Sequence, residues 1–132
     1  MGRIPMLDGT HAVEAVEELF SNPANGAQRI SLQPGCRVLD FAPHARVMLF
    51  IHSGEIRVFQ RAAEASVRLA GIFGPGEWVG ASAMAGLDFP HNTVAHLASD
   101  VSILSADRVM ELLEHRPDIA LVMLRETASR LR

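Results

Sequence analysis

The chain has 132 residues, 48% of them apolar and 20% charged, which suits one ordinary domain, is too short for two, and is too apolar for a disordered segment. Twelve positive side chains, all arginine, against fifteen acids leave a net charge of −3, so no basic excess marks a nucleic-acid backbone as partner. The single cysteine, Cys36, excludes an internal disulfide, a four-thiolate zinc site and an all-cysteine iron–sulfur cluster within one chain.

The N-terminal Met1-Gly2-Arg3-Ile4-Pro5 lacks the long apolar stretch of a signal peptide. No later run reaches the ~18 apolar residues of a membrane span, so the expected compartment is the cytoplasm. The first regular segment falls within residues 8–20. From His11 to Phe20, Val13, Val16 and Phe20 recur at helical spacing, with Ala12 and Leu19 beside them. Asp8 or Thr10 can cap this helix, and Asn22-Pro23-Ala24-Asn25-Gly26 ends it with breakers.

From Gln28 to Leu104 short β-rich runs alternate with turn signals. Arg29-Ile30-Ser31-Leu32 precedes Gln33-Pro34-Gly35, and Arg37-Val38-Leu39 precedes Asp40-Phe41-Ala42-Pro43. Val47 to His52 leads to Ser53-Gly54, and Glu55-Ile56-Arg57-Val58-Phe59 follows with period two, Ile56 and Val58 on one side, Arg57 and Phe59 on the other. Val67 to Phe73, the turn Gly74-Pro75-Gly76-Glu77-Trp78, Asn92 to His96 and Val101 to Leu104 complete the set. Seven or eight short strands at this spacing, without alternating helices, predict an antiparallel sandwich or roll rather than a parallel βαβ sheet.

The tail, residues 105–132, is helical again. Ser105 or Asp107 can cap a helix carrying Val109, Leu112 and Leu113. His115-Arg116-Pro117-Asp118 breaks it, and Pro117 suits the first turn of a second helix with Ile119, Val122 and Met123 on one stripe and Leu124, Ala128 and Leu131 flanking it. Met48, Met84, Met110 and Met123 fall at apolar positions and are expected in the core, as is Cys36, an inert buried thiol. Trp78 is expected to anchor the core or its rim.

This order of segments resembles the cyclic nucleotide-binding domain, and most of all the sensor half of bacterial regulators of the catabolite-activator and fumarate–nitrate-regulator type. Four stretches carry the resemblance: Ser31-Leu32-Gln33-Pro34-Gly35; Leu49 through Ser53-Gly54-Glu55 to Phe59; Gly74-Pro75-Gly76-Glu77-Trp78-Val79-Gly80; and Arg116-Pro117-Asp118-Ile119-Ala120 running on through Thr127-Ala128-Ser129-Arg130-Leu131. It implies a mainly β chain: an antiparallel β-roll, jelly-roll-like, with one N-terminal helix and two C-terminal helices, forming a single domain over residues 1–132.

The resemblance also implies a site. After the Gly74–Gly80 turn the family places a short helix whose free amides hold a ligand phosphate, since a helix N-terminus binds anions through unpaired N–H groups and its dipole. Gly80, Ala81, Ser82, Ala83 and Met84 occupy that place, and His91, Asn92 and Thr93 on the next strand complete the implied ligand-binding set. Two positions depart from the pattern. Ala81 stands where nucleotide binders carry the glutamate that holds the ribose, and Pro90, or His91 with a one-residue shift, stands where they carry the arginine that pairs with the phosphate. Charge-assisted hydrogen bonds are worth roughly 1.5–3 kcal/mol each, so losing two weakens binding on the order of a hundredfold or more. Arg57 and Arg68 are the candidates for a substitute cation.

The expected function is therefore a non-enzymatic, ligand-sensing regulatory module that does not hold cyclic AMP or cyclic GMP tightly. Its ligand is a cyclic nucleotide or another small anion held weakly, with no metal or other cofactor. A homodimer through the C-terminal helix is expected. No direct DNA contact is expected, because the long helix of relatives leads to a helix-turn-helix domain and none follows Arg132. The alternatives are a stand-alone protein-interaction module without a small-molecule ligand and, below it, a haem-based gas sensor. His44, His52, His91, His96 and His115 show no metal-ligand spacing. Gly80-Ala81-Ser82-Ala83-Met84 approaches a nucleophile elbow but lacks its last glycine.

Overall fold

The apolar run Val47-Met48-Leu49-Phe50-Ile51 is buried almost throughout, which requires a strand covered on both faces. In the computed structural model, which describes residues 9–40, 46–61, 66–80 and 91–129, that strand is the pivot of the architecture. The chain runs α1 (Gly9–Ser21), a single turn of 3-10 helix (Pro23–Asn25), β1 (Gln28–Leu32), β2 (Arg37–Asp40), β3 (Val47–Ser53), β4 (Ile56–Arg61), β5 (Val67–Phe73), β6 (Trp78–Val79), β7 (His91–Ala95) and β8 (Ser99–Ser105). Two helices close it, α2 (Ala106–Glu114) and α3 (Pro117–Ser129).

The strands form two four-stranded antiparallel sheets, ordered β1-β8-β3-β6 and β2-β7-β4-β5. This is the predicted mainly β roll with flanking helices. Period-two alternation divides β3 between two cores. Met48 and Phe50 face outward and pack with Val16, Leu19, Phe20, Leu104, Ala106, Val109, Ile119 and Met123 beneath the helices. Leu49 and Ile51 face inward and pack with Leu32, Ile56, Val58, Val79, Ala95 and Val101 between the sheets.

The predicted punctuation is present. Asn22 accepts a hydrogen bond from the Ala24 amide, and Gly26, at φ 91°, ends the turn in the left-handed region. Ser105 caps α2 by accepting from the Arg108 amide, and Pro117 opens α3. Thr10 lies inside α1 rather than capping it, and Asp8 is outside the described residues.

Three burial expectations are corrected. Val13 is half exposed, because α1 docks through Val16, Leu19 and Phe20 while Val13 lies against the Gly74–Glu77 turn. Met110 is exposed, since it stands about 100° around α2 from the buried Val109. Cys36 is exposed: it closes the Gln33–Cys36 turn at the start of β2, an edge strand, with its backbone bonded to Gln33 and Ala95. Met84 lies outside the described residues. No helix among the described residues is long and apolar enough to cross a membrane.

Candidate ligand-binding site

The turn before Gly80 is held rigidly. The Glu77 carboxylate accepts from the Gly74 amide at 2.6 Å, the Glu77 amide donates to the Gly74 carbonyl, and Gly76 takes φ 82°. Two backbone bonds, Gly76 N–H to Ile51 O and Ile51 N–H to Glu77 O, stitch the turn to β3. β6 then pairs with β3 through Leu49–Val79 and Phe50–Trp78, and Trp78 packs against the helix-side core as the predicted anchor.

Gly80 leaves this sheet at φ 113°. A Cβ there would lie 2.8 Å from the Val47 carbonyl oxygen and 3.1 Å from Met48 Cγ, so glycine is required on two counts, conformation and space. Ala81, Ser82, Ala83 and Met84 lie outside the described residues, as does Pro90. The chain returns as β7 at His91, which is in register with Gln60 of β4. Its side chain is also outside the described set.

Register decides which way the remaining candidates face, since directly opposed residues share a sheet face. Ile56 and Val58 are in the inter-sheet core, and Thr93 opposes Val58. Thr93 is therefore inward, and it is completely buried. Asn92 opposes Phe59 and is on the opposite face. The two predicted neighbours are thus separated by the thickness of the sheet. Thr93 Oγ1 and Asn92 Oδ1 are both buried without a hydrogen-bond partner.

The two arginines also part company. Arg57 opposes Val94 and Ile72 on the outward face, where its Nε donates to Glu55 at 2.9 Å. Arg68 opposes Gln60 and so takes the inward face. That placement depends on a bulge. Val58 opposes Gly71, but Phe59 opposes Leu69, so one residue of β5 is skipped.

Chain path places these residues along the roll. The Ser53-Gly54-Glu55 turn carries β3 into β4 at one end. Both strands run back to the other end, where β3 begins at Val47 and β4 closes with Gln60 and Arg61. Gly80 lies against Val47 and Met48, so Gly80, His91, Gln60 and Arg68 share that second end. The sequence suggested Gly80 and Thr93 as site residues and left Arg57 and Arg68 undecided. The register turns Arg68 inward and Arg57 outward.

A second polar cluster escaped sequence analysis. On the helix-facing side of the first sheet, His52 Nε2 is 2.7 Å from Ser102 Oγ, and His52 Nδ1 is 4.0 Å from the Glu17 carboxylate of α1. The ring of Phe50 meets the imidazole edge-on at 5.2 Å. Its composition matches a Ser–His–acid triad, but Ser102 is buried beneath the helix and a nucleophile there has no path to substrate. No signal short of the β3–β8 pairing could have joined residues 50 positions apart.

Burial lowers the His52 pKa below its ordinary 6.5. The positive charge of Arg29 adds to this, against smaller opposing contributions from Glu17 and Asp100. The folded protein thus refuses a proton that the unfolded chain accepts between the depressed value and 6.5. Stability is complete above about pH 6.5 and declines as the pH falls below it. Thermal scans at about pH 7.5 and about pH 5.5 will show a lower Tm at the acid value, and His52→Gln will reduce that difference. An unchanged pH slope in the variant would remove His52 as its source.

Among the described residues no group of three or more His, Cys, Asp or Glu side chains converges as a metal site would need. Residues 29–116, about two thirds of the chain, match the family profile of the cyclic nucleotide-binding domain. The chain belongs to that family. The domain is similar in fold to the catabolite activator protein of Thermus thermophilus, with TM-score 0.69 and 21% identity over 86% of this chain and 58% of that one. It is similar also to the c-di-GMP responsive global regulator CLP of Xanthomonas campestris, with TM-score 0.73 and 17% identity over 89% of this chain and 58% of that one. The sensor domain of the transcriptional regulator DNR from Pseudomonas aeruginosa gives TM-score 0.69 and 15% identity over 92% of this chain and 88% of that one. This cyclic nucleotide-binding domain therefore spans little more than half the length of the first two regulators. No curated protein matches the sequence.

Proposed function

We propose that this domain is the ligand-sensing part of a cytoplasmic regulator, that it pairs with a second copy along α3, and that it holds cyclic AMP and cyclic GMP only weakly. The observation that carries the reading is the exit at Gly80. The glycine that opens such a cassette is kept there, at φ 113° with no room for a side chain beside the Val47 carbonyl, yet the residue that follows in the sequence is Ala81, and Pro90 or His91 stands at the position of the arginine. Alanine and proline side chains carry no hydrogen-bonding group, and neither they nor a histidine supply the permanently charged fork of an arginine. The sequence keeps the glycine that opens such a cassette and lacks the charged side chains that would complete it.

Such a domain acts without chemistry. Occupancy of the roll biases one of two arrangements of the roll against its closing helices. The exposed Leu124 on α3 supports the pairing. Calorimetry with cyclic AMP and cyclic GMP tests the reading. The expected result is a dissociation constant well above micromolar for both, and a submicromolar value for either would overturn it.

A second reading, a protein-contact module with no small-molecule ligand, is favoured by the exposed outward side chains of Val67, Leu69 and Ile72 on the edge strand β5. Under that reading neither nucleotide produces heat or spectral change at any concentration.

A further inference from the structure

α1 lies over the outer face of the first sheet, and one ionisable side chain is caught at its edge. His52, near the end of β3, has a side chain only 7% exposed. On the sheet side its Nε2 is 2.7 Å from Ser102 Oγ of β8, and Ser102 is itself buried. Along its own strand it packs against the Phe50 ring at 5.2 Å. On the helix side its Nδ1 is 4.0 Å from the Glu17 carboxylate. The charged groups that act on it are Arg29 from β1, Glu17 from α1 and Asp100 from β8. Asp100 is committed to Arg29, whose Nε donates to it at 3.0 Å. Glu17 is more than half exposed and is the carboxylate with room to move.

In an imidazolium both ring nitrogens donate and the ring carries a full charge. Proton uptake by His52 therefore sets a charged N–H opposite Glu17, whichever nitrogen held the proton before. At 4.0 Å the pair is too long for a hydrogen bond, whose N···O distance is about 2.7–3.2 Å. Closing it draws the Glu17 segment about 1 Å toward the sheet. Glu17 belongs to the turn of α1 that docks, between the buried Val16 and the buried Leu19 and Phe20. Those three side chains share one core with Ile119 and Met123 of α3, and the Phe20 ring stacks on Phe50 at 5.6 Å. A close-packed interior transmits displacements of this size rather than absorbing them.

We propose that His52 and Glu17 form a proton-operated clasp between the sheet and the N-terminal helix: a proton taken up by His52 draws the docking turn of α1 toward β3, and the shared core carries the shift to α3. The clasp works within the folded protein, apart from the loss of stability in acid, and does not rest on the ligand-sensing reading. Burial, aided by Arg29, keeps the ring neutral near pH 7, while Glu17 and Asp100 pull the other way. The clasp is therefore open at neutral pH and closes in acid, below the ordinary histidine value of 6.5.

Heteronuclear NMR of the whole chain, titrated from about pH 7.5 to about pH 5, tests the proposal. The amides of residues 16–20 in α1 and 119–123 in α3 will shift along one curve, and its midpoint will be that of the His52 ring protons. His52→Gln keeps a hydrogen-bonding group for Ser102 and will flatten the curve, which separates it from the titration of the chain's other histidines. Glu17→Gln, made at an exposed side chain, will lower the His52 midpoint and remove most of the α3 shift. Arg29→Gln will raise the midpoint and leave the α3 shift in place. Three results would each overturn the clasp: α3 amides that stay still while His52 titrates, a curve that persists in His52→Gln, or a Glu17→Gln midpoint that does not fall.

Discussion

Gly54→Ala will lower the Tm by roughly 10 °C or more. Gly54 makes the turn from β3 to β4 and takes φ 96°, a conformation that costs an L-residue roughly 1–2 kcal/mol. Space is the larger obstacle. A Cβ at this position would lie 2.1 Å from Ser99 Oγ and 2.6 Å from both the Ala98 carbonyl oxygen and Ser99 Cα. Two of these three atoms are backbone and do not rotate away. Ser99 is itself committed, accepting from the Glu55 amide at 3.1 Å and donating to the Leu97 carbonyl at 2.8 Å. Overpacking of this kind costs about 1–3 kcal/mol, so the total is about 2–5 kcal/mol out of the roughly 5–15 kcal/mol that stabilise a domain. Differential scanning calorimetry reads the result. A fall of less than about 3 °C would mean that the turn relaxes freely and that its close approach to β8 is not a constraint.

Phe50→Ala will cost about 3–5 kcal/mol. Phe50 is fully buried on the helix-facing side of β3. Its ring stacks on Phe20 of α1 at 5.6 Å between centroids and packs against His52 at 5.2 Å with the two ring planes steeply inclined. Removing it takes away the surface against which α1 docks and leaves a cavity between helix and sheet. Urea denaturation measures the loss as a lower midpoint with the slope retained. Phe50→Leu, which keeps most of the volume, will cost well under half as much. A loss below about 1.5 kcal/mol for the alanine variant would contradict the tight helix-to-sheet packing.

Much of this architecture was legible in the sequence where one local signal sufficed. The alternation in Ile56-Arg57-Val58-Phe59 correctly gave inward and outward faces, and the continuous apolar run Val47 to Ile51 is the local signature of the strand that the structure buries on both sides. Ser105 and Pro117 marked the two helix starts by chemistry that acts within a turn. The site was harder, because the orientation of its residues depends on pairing between distant strands. Without the bulge opposite Val58 and Phe59, Arg68 would oppose Arg61 and face outward. One skipped residue reverses the face, and nothing in Val67-Arg68-Leu69-Ala70-Gly71 announces it. Asn92 and Thr93 look equivalent as neighbours in sequence, yet strand geometry sends one to each side. The exposure of Cys36 follows from the edge position of β2, another property of sheet order rather than of local sequence.

The double commitment of β3 has a thermodynamic meaning. Met48 and Phe50 belong to one apolar interior, Leu49 and Ile51 to the other, and a single backbone carries all four. Neither interior can be opened without stripping the rear wall from its neighbour. The helical cap and the barrel-like shell consequently share one cooperative transition, and a disturbance on either side of that ribbon is felt at once on the far side.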